Sequence, residues 1–390
     1  MLICIFIMLN WILILAVSFG QLIKFPSLNS SGVTVLDLVI LSLASFGILK
    51  FKQFKKPSTS ILLAFTFTIV CFFSLIFTPL QLNLFQFLIS LSYTIRLAVY
   101  FFVGYLIYCQ IIKINTTKII IYSSLILSIL GLLQLIFLPD LKSLTILGWD
   151  PHYFRTVSTF LDPNFLGAFL SISVLLLLVK TNLSKKKGLV FIFLIIFFAL
   201  TTTFSRSSYL MFIVSGLTLS FFKKSFRLSA LVLTLSILFF LAFQIYNILV
   251  SKPRNIDRNY SANARLNTWQ EGIAIFRQNP FLGTGFNTYR YALTQYNLAD
   301  ESFVNQRGAT SNDSSLLHIL ATTGISGLIT YLGFIYTLIK SGIKKEIIAA
   351  SSIFGLLVHS IFNNSLFYPP ILLWISLIST NLNLTKDNNI

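Results

Sequence analysis

Apolar runs of roughly 17 to 25 residues recur from one end of this chain to the other, each long enough as a helix to cross about 30 Å of hydrocarbon. The runs do not alternate apolar with polar residues, which excludes the strands of a membrane barrel. A helix, which satisfies its own backbone in lipid, is the remaining solution. Composition agrees: 56% of the 390 residues are hydrophobic, 10% are charged and the mean hydropathy is +0.84. A soluble domain carries about one quarter charged residues. The expected fold is therefore all-α, a polytopic transmembrane bundle forming one integral membrane domain over 1–390.

About twelve spans are expected. They run Leu2 to Phe19, Val33 to Leu49, Ser60 to Phe77, Leu84 to Ile107, Ile119 to Leu138, Pro163 to Val179, Leu189 to Phe204, Ser208 to Phe222, Leu228 to Val250, Ser314 to Ile339, Ile347 to Ile361 and Leu366 to Leu382. The first run lacks a positive start and a small-residue cleavage site, so it reads as a retained helix. Cys4, Cys71 and Cys109 lie in or at the end of apolar runs and read as small core residues.

Alternating loops test the count. Lys50, Lys52, Lys55 and Lys56 share one loop; Lys113 with Lys118, Lys180 with Lys185 to Lys187, Lys223 with Lys224 and Arg227, and Lys340 with Lys344 and Lys345 all fall on the same face. The positive-inside rule makes that face cytoplasmic and places both termini there. Net charge +18 resides mostly in these juxtamembrane clusters, which argues against a nucleic-acid partner. The opposite face holds Lys24, Lys142 and Lys252, but also Arg155, Arg206 and six further arginines. A guanidinium is a planar fork of donors suited to phosphate or carboxylate, so the outer face reads as built to hold an anion.

The six arginines, Arg254, Arg258, Arg265, Arg277, Arg290 and Arg307, lie in one polar loop from Ser251 to Asn312, which is too long for a passive connector. Within it Leu266, Trp269, Ile273 and Phe276 recur at helical spacing until Asn279-Pro280. Such an amphipathic helix would either lie in the membrane interface with Trp269 at headgroup depth or simply lid the bundle. Gly283-Thr284-Gly285 reads as a turn before a phosphate loop. Arg290 between Tyr289 and Tyr291 offers a cation with aromatic walls for a sugar phosphate. Arg206, in a short hairpin beside the hydrocarbon, needs an anionic partner, either a ligand or an acid such as Asp162; Arg96, in mid-span, raises the same question. Asp162-Pro163 is explained as a helix cap followed by proline. Asp313 reads either as a cap, with Ser311 or Asn312 as alternatives, or as a base facing an acceptor hydroxyl. His318 reads as a packed residue, and His359 and His152 as secondary candidates for a base.

Four segments in order resemble the O-antigen ligase and polymerase family of bacterial membrane glycosyltransferases. They are Arg155 to Asn164, Thr203 to Arg206, Arg265-to-Trp269 with Asn279 to Phe286, and Asp313 to Gly327. The resemblance implies transfer of a glycan from a polyprenyl-diphosphate carrier to an acceptor hydroxyl at the outer face of the bacterial cytoplasmic membrane, with no metal or other cofactor. It implies that Arg206 and Arg265 bind the diphosphate. The family's ligases carry a His-Asn pair where this chain has Asp313-Ser314, so Asp313 would replace the histidine as base, and the departure favours a polymerase over a ligase. The expected catalytic set is Asp313, Arg206 and Arg265; Arg155, Trp269, Arg277, Tyr289, Arg290 and Arg307 are expected to bind substrate. The expected partners are the lipid-linked glycan, a glycan or lipid acceptor, membrane lipids and a chain-length regulator. A transporter of lipid-linked sugars is the competing class, but it should place ionisable groups at mid-membrane and show two related halves.

Overall fold

The computed structural model describes residues 2–26, 32–147, 151–180, 187–254, 258–299, 303 and 307–379. Twelve of its helices stand where spans are expected. They are α1 (Leu2–Phe19), α2 (Val35–Ile48), α3 (Thr59–Ile76), α4 (Leu84–Tyr108), α5 (Thr116–Phe137), α6 (Pro163–Lys180), α7 (Lys187–Thr202), α8 (Arg206–Phe222), α9 (Phe226–Tyr246), α12 (Ser315–Lys345), α13 (Ile347–Phe362) and α14 (Pro369–Ile378). Between α9 and α12 lie α10 (Arg258–Gln278) and the short α11 (Tyr289–Gln295). By length and composition five segments can cross a membrane unaided: Thr59–Ile76, Leu84–Tyr108, Thr116–Phe137, Phe226–Ser251 and Gly308–Lys345. Several other apolar helices are shorter, down to the ten residues of Pro369–Ile378. That last helix starts later than expected because Tyr368 precedes a proline pair: a residue before proline avoids helical geometry, and proline suits the first helical turn. A two-stranded ribbon, β1 (Lys24–Pro26) against β2 (Gly32–Thr34), precedes α2 and was not expected.

Helix starts follow side-chain caps. Asn83 and Gln86 form a reciprocal capping box on α4, and Asn115 accepts from the Lys118 amide at 2.8 Å to open α5. Burial sorts the bundle into inner and outer helices. Every residue of α14 is buried, whereas α9 buries only Val232, Leu235, Phe239 and Tyr246 and leaves Ile237, Phe240 and Ile245 bare. In a membrane protein such an open apolar flank faces lipid.

Contacts between loops separate two ends. The Lys55 amide meets Cys109 Sγ, Ser60 Oγ donates to the Ser379 carbonyl, and Lys223 feels the Glu346 carboxylate, which gathers the lysine-bearing loops at one end. At the other end Gln21 N bonds Thr159 O, Arg155 reaches Thr203 O, Tyr246 Oη donates to Tyr153 O, and Thr78 Oγ1 donates to Thr284 O. These contacts pair lysine-bearing loops with one another and arginine-bearing loops with one another. Arg96 finds a structural acid: its Nη2 lies 2.9 Å from Asp37 Oδ2 and 2.9 Å from Gly32 O, over the Tyr93 ring.

Candidate active site at the arginine end

One helix at this end is broken. At Gly324 the backbone of α12 leaves the helix (φ 64°, ψ −165°), so the carbonyls just before the break lose their partners. The loop after α10 replaces them: Thr284 N donates to Ala321 O at 3.1 Å and Gly285 N to Thr322 O at 2.9 Å, while Ile325 N returns a bond to Pro280 O at 2.8 Å. Gly283 N bonds Asn279 O, and Phe286 N reaches Ser74 Oγ on α3. The amides of Gly283-Thr284-Gly285 are therefore engaged by the protein, as a turn requires, and leave none for an anion. Gly283 and Gly324 both have positive φ, and a Cβ on Gly283 would stand 2.4 Å from the Thr322 carbonyl carbon.

The two expected arginines lie within electrostatic reach of each other. Arg206 opens α8 and Arg265 projects from α10, close enough for their charges to repel. Among the described residues no carboxylate forms an ion pair with either. Beneath them a buried polar network links three helices. Ser205 Oγ donates to Asn164 Oδ1 at 2.7 Å, Ser208 Oγ to Asn164 O at 3.0 Å, and Asn363 Nδ2 to Ser207 Oγ at 2.9 Å. His359 joins it through Nδ1, 3.1 Å from Ser365 Oγ, and Nε2, 3.5 Å from Ser208 Oγ. That ring is fully buried with both nitrogens engaged, so it braces the Arg206 turn. Arg155 braces the same hairpin through bonds to the carbonyls of Thr203 (2.8 Å) and Phe204 (3.5 Å), which the end of α7 leaves open.

The carboxyl side joins α10, α11 and the start of α12. Ser314 caps α12, accepting from Leu317 N, while Asn312 Oδ1 accepts from Ser314 N at 2.9 Å. Asp313 therefore does not cap the helix; its Oδ2 accepts from Thr268 Oγ1 at 3.3 Å. Tyr289 Oη lies 3.2 Å from Thr268 O, 3.3 Å from Glu271 Oε2 and 3.0 Å from Asn312 Nδ2, and Asn312 Nδ2 also donates to Thr268 O. Burial pushes the Glu271 carboxyl above the usual range, and the Asp313 charge adds to this against the Tyr289 hydrogen bond. Burial likewise pushes the Tyr289 phenol up, helped by Glu271. Asp162 caps α6, accepting from Asn164 N at 2.6 Å and Phe165 N at 3.1 Å.

The remaining expected residues spread around this centre. Trp269 packs against Phe362 at 6.0 Å with its Nε1 buried and without a hydrogen-bond partner. Arg290 is half-buried near Tyr291 and Tyr93, and that burial lowers its pKa while both tyrosines oppose the fall. Arg277 is exposed in the last turn of α10, about 18 Å along the axis from Arg265, so the two cannot grip one diphosphate. The side chain of Arg307 lies outside the described residues. His318 packs among the rings of Phe286, Tyr289 and Phe367, and His152 is buried. Leu266 and Ile273 are exposed, and α10 instead turns Gly272 and Ile275 inward with Thr268 and Glu271 half-covered. The apolar stripe of α10 is thus not its docking face, because the close approach of Gly272 to Asn312 sets the contact. Glu271, Thr268 and Asn312 were missed by sequence reasoning; their only signal was polarity on a helix also marked by arginines.

The protein thus brings Arg206, Arg265, Glu271 and Asp313 to the end away from its juxtamembrane lysine clusters. Residues 191–332 match the family described as O-antigen ligase, the stretch that carries Arg206, Arg265, the 279–286 loop and Asp313. Over that stretch, a little over a third of its length, the chain is similar to the O-antigen ligase family. No curated protein matches the chain.

Proposed function

We propose that the protein is a polymerase that joins polyprenyl-diphosphate-linked oligosaccharide repeats at the outer face of the cytoplasmic membrane, with both termini inside. The convergence of Arg206 and Arg265 carries this reading. Two like charges held together are unfavourable alone and favourable with a diphosphate between them, whose oxygens suit the planar fork of guanidinium donors. As the acceptor oxygen attacks the anomeric carbon, the bond from that carbon to the diphosphate breaks and its electron pair leaves with the diphosphate. The arginines neutralise the charge that develops, so the step calls for no metal. Asp313 takes the acceptor hydroxyl proton. Arg290, its neighbouring tyrosines and Trp269 shape the pocket for sugar, and Arg155 acts by holding the Arg206 hairpin. Asp313 in place of a histidine favours a polymerase over a ligase.

Purified protein incubated with polyprenyl-diphosphate-linked repeats tests the reading. A ladder of lengths is the expected product. A single transfer to a lipid or protein would make the enzyme a ligase, and movement of the lipid-linked sugar without any new bond would make it a transporter.

A further inference from the structure

At the lysine-bearing end, Lys223, Lys224 and Ser225 turn α8 into α9. Ser225 N closes the turn on Ser220 O at 3.0 Å and Lys224 N bonds Phe221 O at 3.0 Å, with Lys224 at φ 49°. Glycine or asparagine ordinarily fills a left-handed position after a helix, so lysine here supplies a charged side chain that the backbone does not call for. Beside the turn lies a cavity of about 420 Å³. Its lining joins the two helices through Ser229 Oγ, which donates to Ser220 Oγ at 2.8 Å. Lys224 and Ser225 line it as well, together with Phe221 and Phe226, which are 77% and 85% exposed. Ser225 Oγ accepts from Leu228 N at 3.3 Å, which leaves its own hydrogen for an acceptor. Arg227 follows directly. Among the described residues none of Lys223, Lys224 and Arg227 forms an ion pair; Glu346 is within electrostatic reach of Lys223.

The same turn opens onto an apolar face. Phe226, Leu233, Ile237 and Phe240 recur at seven, four and three residues along α9, and all four are exposed. From Phe226 to Phe240 this face runs about 21 Å, more than the roughly 15 Å of hydrocarbon in one leaflet. A ligand that matches both features carries negative charge at one end and a long hydrocarbon at the other. We propose that the cavity between α8 and α9 is a headgroup site for an anionic glycerophospholipid. The phosphate meets Lys224 and the Ser225 hydroxyl, Arg227 adds to the positive field, and an acyl chain lies along the Phe226-to-Phe240 face. The lipid also supplies packing that α9 lacks, since that helix buries only Val232, Leu235, Phe239 and Tyr246. The site stands about 24 Å along α8 from Arg206, so it does not depend on the proposed glycan transfer.

Native mass spectrometry of the purified full chain, in detergent with phosphatidylglycerol or phosphatidylcholine of matched acyl chains, tests the site. Wild type should retain one phosphatidylglycerol and release phosphatidylcholine. Lys224→Gln/Arg227→Gln should lower that retention roughly tenfold or more. Lys52→Gln/Lys56→Gln removes as much charge from another loop at the same end and should leave retention unchanged. All four side chains are exposed, so both double variants should stay folded, with size-exclusion as the check. Equal loss in the two variants would reduce the effect to general charge and overturn the site, as would phosphatidylcholine retained as well as phosphatidylglycerol. Phosphatidylglycerol should also raise the thermal midpoint of wild type and not that of Lys224→Gln/Arg227→Gln. An equal rise with inorganic phosphate alone would make this a free-anion site and overturn the lipid assignment.

Discussion

The two halves of the arginine end are built on opposite terms. At the break in α12, each backbone group that the geometry frees is taken up by the 279–285 loop, and two glycines approach so closely that neither tolerates a Cβ. A few turns away, Arg206 and Arg265 face each other without an ion-paired carboxylate among the described residues, the Trp269 Nε1 has no partner, and two carboxyls stand together. The first region is complete without a ligand; on the function proposed above, the second becomes favourable with one. Satisfied backbone marks scaffold here, and unsatisfied charge marks the site.

That contrast can be broken most severely from the scaffold side. Gly283→Val introduces a β-branched side chain at φ +68° with its Cβ 2.4 Å from the backbone of α12, and it should abolish folded protein, seen as loss of the membrane-inserted form on size-exclusion in detergent. Asp313→Asn should leave the protein folded, because Ser314 holds the cap, yet lower glycan transfer by about a hundredfold to ten-thousandfold, the range for a lost general base. Arg265→Ala should lower transfer by about a hundredfold to a thousandfold. It should also raise the thermal midpoint slightly, since it relieves repulsion with Arg206; a fall in that midpoint would mean that the pair is held by a structural anion.

A smaller effect is expected in the pH dependence of stability. A glutamate raised in the folded state binds its proton more tightly there than when unfolded. Its contribution is therefore fully present below the ordinary glutamate range and lost as pH rises through the folded value. Thermal midpoints should fall across that window in wild type and stay flatter in Glu271→Gln. Arg277→Ala should be nearly silent, within about 0.5 kcal/mol in stability and with transfer unchanged, because the side chain is exposed and far along α10 from Arg265.

Most of the fold was legible because lipid leaves so few solutions: apolar length gave the spans and lysine placement gave their alternation. The placement of Arg206, Arg265 and Asp313 at one end was legible because charge beside hydrocarbon is costly and therefore conspicuous. The break at Gly324 was not, since apolar residues continue straight through it and the compensating amides come from a loop some forty positions earlier. Glu271 escaped because its setting is made by Tyr289 and Asn312, which only the folded junction brings to it. The bonds of Arg155 to the Thr203 and Phe204 carbonyls were not legible, because no side-chain pattern reveals a carbonyl partner.

The stitching of the 279–286 loop to α12 and to Ser74 and Thr78 beside α3, with Asn363 beyond α13 steadying the Arg206 turn, has a consequence for biogenesis. Arg155 and Asn164 can hold the Arg206 turn as soon as α8 is made, but the Asn363 brace on Ser207 comes only after α13, so the turn is completed in two stages of insertion.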